Sequence, residues 1–225
     1  MGIEAVIFDM DGLLFDTEAT GRWAWDKSLE SHGYAMTDDI YMQFVGRDMS
    51  HREYVLKMHF GLDFPFESVK ALRILLGDSR EIESGLKIKP GAVQLLAAFS
   101  KLGIPIGLAT GTVRDRTLRR LQGAGIRNYF RAIVAGDEVH RGKPFPDVYF
   151  EASQRLGISP QKCIVFEDSC AGVQAAMAAG MRVVMVPDLE RPTPDIKNMA
   201  YCILPSLIEA IERLPKLMGK ATVND

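Results

Sequence analysis

The chain is short of cysteine, of net charge and of long apolar runs, and each shortage closes off a class of protein. Its three cysteines, Cys163, Cys170 and Cys202, are odd in number and form no CxxC pair. That argues against a disulfide scaffold and favours a reducing, cytoplasmic setting. Lys and Arg number 27 against 29 Asp and Glu, a net charge of −2, so nothing overall calls for nucleic acid or an anionic membrane surface as a partner. The apolar stretches fall far below the roughly 18 residues of a membrane span. The N-terminus has no basic segment followed by an apolar one, so no signal peptide is read. The four histidines show no ligand spacing, and there is neither an internal repeat nor a low-complexity stretch. What is there is ordinary: 225 residues, 47% hydrophobic and 25% charged. These values fit a soluble globular protein, expected as a monomer, with one large domain or two unequal ones.

Most of the chain alternates between short apolar runs and helical patterns. Ala5–Phe8, Ile104–Ala109, Ala132–Ala135, Cys163–Phe166 and Arg182–Val186 read as strands buried on both faces. Helices are expected at 90–102 (with Pro90 at its first position), 115–122, 147–156, 171–179 and 207–214, four of them closed by a glycine. This predicts an α/β fold with a doubly wound parallel sheet. Residues 16–85 read differently. No buried strand shows, and helices are expected at 18–32, from a Thr37 cap through Val45, from Ser50 (capping-box pattern Ser50-His51-Arg52-Glu53) through Phe60, and from Phe66 to about Gly77. This insert holds 8 basic and 13 acidic residues, and the imbalance is ordinary surface variation. The expected division is a core of 1–15 and 86–225 with a helical cap of 16–85.

In an open α/β sheet, ligands bind beyond the carboxyl ends of the strands. There the chain places Asp9, Asp11 and Gly12, then Thr110 and Gly111, then Gly136 and Asp137 with Lys143 nearby, then Glu167, Asp168 and Ser169. One acid after a strand is usually a turn former or a helix cap. Carboxylates at two strand ends, a hydroxyl at another and a lysine near a fourth make a metal-plus-anion site. Hard oxygen ligands suit Mg²⁺. A carboxylate is a competent nucleophile toward phosphorus, and a second one two residues along an extended chain points to the same side. There it can serve as general acid and base.

These residues resemble a family. Phe8-Asp9-Met10-Asp11-Gly12 followed by Asp16-Thr17-Glu18 is similar to the first motif of the haloacid dehalogenase superfamily, DxDGxxxD with Ser or Thr next. Thr110-Gly111 resembles the second motif, Gly142–Asp147 the third (GKPxPD), and Glu167-Asp168-Ser169 with Gly172 the fourth. Within it, the sequence resembles the β-phosphoglucomutase-like and small-metabolite phosphatase subfamily. It implies a Rossmann-like core with a helical cap that closes over the site. It implies Asp9 as phosphoryl-accepting nucleophile, Asp11 as general acid/base, and Lys143 as the cation joining Asp9 to phosphate. Thr110 and the Gly111 amide would hold phosphoryl oxygens. Mg²⁺ would be held by Asp9, the Asp11 carbonyl and Asp168, with Glu167 beside it or acting through water. Dehalogenase members lack the second acid, so Asp11 points to phosphoryl transfer.

The resulting expectation is a Mg²⁺-dependent phosphatase of a small phosphorylated metabolite. The alternative is a phosphomutase. Mutases of this type carry a histidine where Gly21 stands, and Gly46-Arg47 does not reproduce their cap arginine motif cleanly. Arg47 is nonetheless a candidate phosphate contact, and a solvated helix-end arginine is an equal reading of it. Thr17 reads as a helix cap. Arg114 and Arg116 read as a solvated face, and Cys170 as packing.

Overall fold

A computed structural model describes residues 2–44 and 49–219. In chain order its elements are β1 (Ala5–Phe8), α1 (Thr17–Ser31), α2 (Asp38–Met42), α3 (Met49–Phe60), α4 (Phe66–Ser84), α5 (Ala92–Lys101), β2 (Ile106–Ala109), α6 (Arg114–Gly123), β3 (Phe130–Val134), α7 (Asp147–Leu156), β4 (Cys163–Glu167), α8 (Cys170–Ala178), β5 (Arg182–Met185), α9 (Pro194–Met199), β6 (Cys202–Ile203), α10 (Leu207–Glu212) and α11 (Leu214–Leu217). The chain divides into two compact units, Met1–Phe15 with Lys87–Asp225, and Asp16–Leu86.

The first unit is built on a parallel sheet of order β3-β2-β1-β4-β5-β6. β1 sits at its centre, Val6 pairing with Ile106 on one side and Ile164 on the other. All four residues of β1 are buried, because the sheet is covered on both faces. Ala5 and Ile7 face a cluster with Tyr149, Leu156, Val165, Val173 and Val183. Phe8 turns the other way and stacks on Phe166, with ring centroids 5.1 Å apart and Phe99 of α5 edge-on at 6.0 Å. The continuous apolar runs in the sequence follow from this double burial. The expected α/β doubly wound sheet is therefore present.

The second unit is a bundle of α1–α4. Trp25 is its centre, packed edge-on to Phe44 at 5.2 Å and near Phe66 at 6.5 Å, with Leu29, Ile40, Leu56 and Val69 around it. Trp23, two residues earlier on α1, projects elsewhere and carries the Arg80 guanidinium 4.3 Å from its ring centre. The Tyr41 hydroxyl donates to Glu18 at 2.8 Å. Among the described residues, no helix is long and apolar enough to cross a membrane.

Several local expectations need correction. Pro90 does not begin a helix, since α5 starts at Ala92 after Gly91. Ser50 lies inside α3 rather than capping it, and Thr17 is the first residue of α1, not its cap. Gly77 does not stop α4, which continues to Ser84. A Cβ there would meet only Ala24 at 3.8 Å, so packing against α1 carries the helix past a residue of poor intrinsic propensity. Thr37 does cap α2, accepting from the Ile40 amide at 3.3 Å, but that helix ends at Met42. β6, only two residues long, left no apolar run to recognise. The residues 45–48, and with them the candidate phosphate contact Arg47, lie outside the described residues.

Candidate active site

Strand order explains why the site lies where it does. From β1 the chain winds to β2 and β3 on one side, then crosses to β4 on the other. The carboxyl end of β1 is thus flanked by the ends of β2 and β4, the switch point at which open α/β sheets bind ligands. Asp9 is fixed there by its amide, which donates to the Phe166 carbonyl at 3.0 Å. Thr110 follows β2 and is fully buried, and Glu167 ends β4.

Lys143 joins the two acids. Its Nζ donates to Asp9 Oδ1 at 2.5 Å and to Glu167 Oε1 at 2.5 Å. Glu167 has no solvent exposure, and both its oxygens are engaged. Oε1 also accepts from the Tyr149 hydroxyl at 2.9 Å, and Oε2 accepts from the Ser169 amide at 2.8 Å and its hydroxyl at 3.0 Å. Ser169 closes the arrangement by accepting from the Gly172 amide at 3.1 Å, capping α8. A Cβ on Gly172 would collide with the Glu167 carboxylate. The Ser-x-x-Gly spacing is thereby explained: the serine caps the helix and the glycine leaves room for the acid.

One carboxylate oxygen from each of Asp9, Glu167 and Asp168 lies within 4.8 Å of the others. Gly12, at φ +80°, carries the chain over this group, and a Cβ there would strike the Asp168 carboxylate. Burial pushes Asp9 up to about 8, aided by the Glu167 and Asp11 charges and opposed by Lys143. Burial, with the charges of Glu167 and Asp9, raises Asp168 well above the carboxylate range. Burial disfavours ionised Glu167 as well, but Lys143, the Ser169 amide and the Tyr149 hydroxyl hold it below its ordinary value. Burial likewise opposes the Lys143 ammonium, and the two acids keep it well above its ordinary value. The cluster thus holds more acid than its lysine balances.

The donor chemistry fits a hard divalent cation, and a second observation points the same way. Asp188 Oδ2 is buried with no hydrogen-bond partner. It lies 3.5 Å from the Cβ position of Gly12, the position crowded by Asp168, while its other oxygen accepts from Lys89 at 2.6 Å. A cation with bound waters would satisfy that orphaned oxygen.

Asp11 belongs to a different set. Its Oδ1 accepts from Arg120 Nη1 at 2.5 Å, and its Oδ2 from the hydroxyls of Thr112 at 2.7 Å and Thr110 at 3.2 Å. The structure therefore gathers Asp9, Lys143, Glu167 and Asp168 into one network and joins Asp11 to Thr110 in another. Gly111 is exposed at the rim beyond β2, with its carbonyl against Gly136. Arg114 is tied to Glu138 at 2.8 Å.

Arg120, Thr112, Tyr149, Asp188 and Lys89 are absent from the sequence-based set. Arg120 had a signal. Thr117 is buried on α6, and residue 120, three positions on, shares its face. Asp188 lies three residues past the end of β5, on the same edge of the sheet that Asp9 enters directly after β1.

The sequence model of the family described as haloacid dehalogenase-like hydrolase matches residues 6–186. A phosphorylated carbohydrates phosphatase of Thermotoga maritima is 36% identical over 179 residues, covering 80% of this chain and 82% of its own. A fructose-1-phosphate phosphatase of Escherichia coli is 32% identical over 186 residues, 80% and 95% of the two chains. Among solved structures, a haloacid dehalogenase family hydrolase of Deinococcus radiodurans with bound phosphate and sodium superposes with a TM-score of 0.79 at 27% identity, over 98% of this chain and 99% of that one.

Proposed function

The chain belongs to the haloacid dehalogenase-like hydrolases, and from that premise we propose that it is a Mg²⁺-dependent phosphatase of a small phosphorylated carbohydrate or similar phosphomonoester. The observation that carries this reading is the buried Asp9, held by Lys143 at 2.5 Å beside Glu167 and Asp168. Relatives named as phosphatases of phosphorylated carbohydrates support the substrate class.

Asp9 acts as the nucleophile. Its carboxylate oxygen bonds to phosphorus as the bond to the leaving oxygen breaks, and Asp11 gives that oxygen a proton. Water then attacks the aspartyl-phosphate and its proton passes to Asp11. The Asp9–phosphorus bond breaks and inorganic phosphate leaves. Thr110 and the Gly111 amide hold the phosphoryl oxygens, and Lys143 balances charge between Asp9 and the transferring group. Asp9, Asp168 and the Asp11 carbonyl would hold Mg²⁺, with Glu167 behind them engaged by Lys143, Tyr149 and Ser169. The metal, when bound, neutralises the phosphoryl charge and keeps Asp9 ionised. Arg47 stays a candidate contact to the substrate phosphate. The reaction is assigned to a cytoplasmic monomer.

The test is free-phosphate release across a panel of phosphorylated metabolites with Mg²⁺. Activity lost with EDTA and in Asp9→Asn is the expected result. Full activity in Asp9→Asn, or in excess EDTA, would sink the mechanism. A phosphomutase would give an isomer with no free phosphate. Gly21, which offers no side chain at that turn of α1, weighs against that outcome.

A further inference from the structure

Arg120 has no part in the chemistry described above, yet it holds one of the two acids that does. Its side chain is only 8% exposed and projects from well inside α6, beside the buried Thr117 and Leu121. Its Nη1 meets Asp11 Oδ1 at 2.5 Å, while the Thr112 and Thr110 hydroxyls take Oδ2 at 2.7 and 3.2 Å. We propose that Arg120 is a positioning residue which parks Asp11 away from the leaving group, and that a phosphoryl group arriving on Thr110 releases it. This rests on the phosphatase reading and on Asp11 as its general acid.

Hydrogen-bond counting favours the release. A threonine hydroxyl has one proton to give. That of Thr110 goes to Asp11, and the lone pairs of the same oxygen receive the Thr112 amide at 3.1 Å. When Thr110 donates to a phosphoryl oxygen, Asp11 loses that bond. The incoming phosphoryl charge then repels the Asp11 carboxylate from the same threonines. An Asp11 oxygen that accepts from a guanidinium is also unavailable to a leaving oxygen, so the carboxylate must leave Arg120 and take up a proton from water before it can deliver one to the leaving oxygen. Thr110 is thus the shared partner, and Arg120 sets how firmly the resting position is held.

The leaving group provides the readout. p-Nitrophenolate departs readily without a proton, whereas phenolate and a sugar alkoxide need one increasingly. Values of kcat/KM would be measured with Mg²⁺ for p-nitrophenyl phosphate, phenyl phosphate and fructose 1-phosphate, in the intact wild-type chain, Arg120→Met and Thr112→Val. In Arg120→Met the ratio of phenyl to p-nitrophenyl rates is expected to rise about tenfold, the worth of one charge-assisted hydrogen bond. Thr112→Val should raise it by a smaller factor, about threefold, and carries the test by itself if Arg120→Met does not fold. An equal fall for all substrates would mark a merely structural arginine and overturn the proposal. So would an unchanged ratio, or a fall confined to poor leaving groups, which would mean that Arg120 holds Asp11 in its working position. A wild-type chain inert toward every phosphate would instead overturn the phosphatase reading, and the latch with it.

Discussion

Asp9 and Asp11 are two residues apart on one strand exit, and their surroundings are opposite. Asp9 is sealed in: its partner Lys143 is mostly buried, Glu167 behind it is fully buried, and every oxygen of Glu167 is spoken for. Asp11 is 31% exposed and rests on two hydroxyls and an arginine from α6. A nucleophile gains from such confinement, because it must keep one position and be shielded from water. A general acid has to reach the leaving oxygen and later the attacking water, so it is held by groups it can exchange. On the proposed roles, two carboxylates two residues apart are given two duties by their surroundings.

The sharpest test of that contrast compares losing each acid. Asp9→Asn removes the proposed nucleophile and is expected to cut phosphate release by at least about 10⁴-fold for every substrate. Asp11→Asn leaves the nucleophile in place. Its loss should therefore grow with the leaving group's need for a proton, about 10²-fold or more for a sugar phosphate and far less for p-nitrophenyl phosphate. Parallel losses across substrates would erase the division of labour between the two acids.

The sealed side should also be the more fragile one. Lys143→Met leaves the buried acids Asp9 and Glu167 without their cation, a change expected to cost about 3–5 kcal/mol of stability in urea denaturation. Glu167→Gln in the same chain should return part of that loss, because Lys143 and Glu167 are direct partners. No comparable penalty is expected at Asp11, whose surroundings reach solvent.

The pH dependence follows from the same burial. Asp9 is raised to about 8 and Asp168 is raised as well. In the folded, metal-free protein both keep protons that the unfolded chain surrenders above its ordinary carboxylate range. Stability from these groups is full at low pH and is lost as pH climbs through about 8. Glu167 is shifted the other way, and its contribution fails only below its ordinary value. In EDTA, Tm should therefore fall between about pH 5 and pH 8. Saturating Mg²⁺ should flatten that slope by favouring ionised carboxylates. A slope identical with and without Mg²⁺ would detach the cluster from the metal.

How much of this was visible in the sequence depends on distance along the chain. The strands of the sheet announced themselves because double burial demands unbroken apolar runs, as in Ala5–Phe8. The acids at their ends stood out because they interrupt those runs. Lys143 was legible only through its motif, since a loop residue carries no periodicity. Arg120 was hidden in a helix rich in arginine, where exposed and buried cations look alike until the partner is known. Asp188 needed the parallel between β1 and β5 to be followed one strand further. Gly77 misled because local propensity lost to packing on α1. Ser50 misled because a capping-box pattern also fits the interior of a helix.

The smallest expected effect concerns a motif residue that does no chemistry. Asp147 closes the GKPxPD segment four residues after Lys143, so its sequence position invites a functional role. In the structure it is the first residue of α7 and pairs with Arg141, at 2.8 Å from Nη2 and 3.2 Å from Nε. Hydrogen bonding to Arg141 lowers it below the usual carboxylate range. Arg141 is itself half exposed and lies 4.6 Å from the Phe145 ring centre. An acid in the first turn favours the helix through its dipole, and an ion pair open to solvent adds little. Asp147→Asn keeps the size of the side chain and much of its hydrogen bonding. It should leave kcat/KM for p-nitrophenyl phosphate within about twofold of wild type and lower Tm only slightly. A large fall in kcat with Tm intact would show that the start of α7 reaches Lys143 and the sealed network. The boundary between the two sides of the site would then have to be drawn further along the third motif.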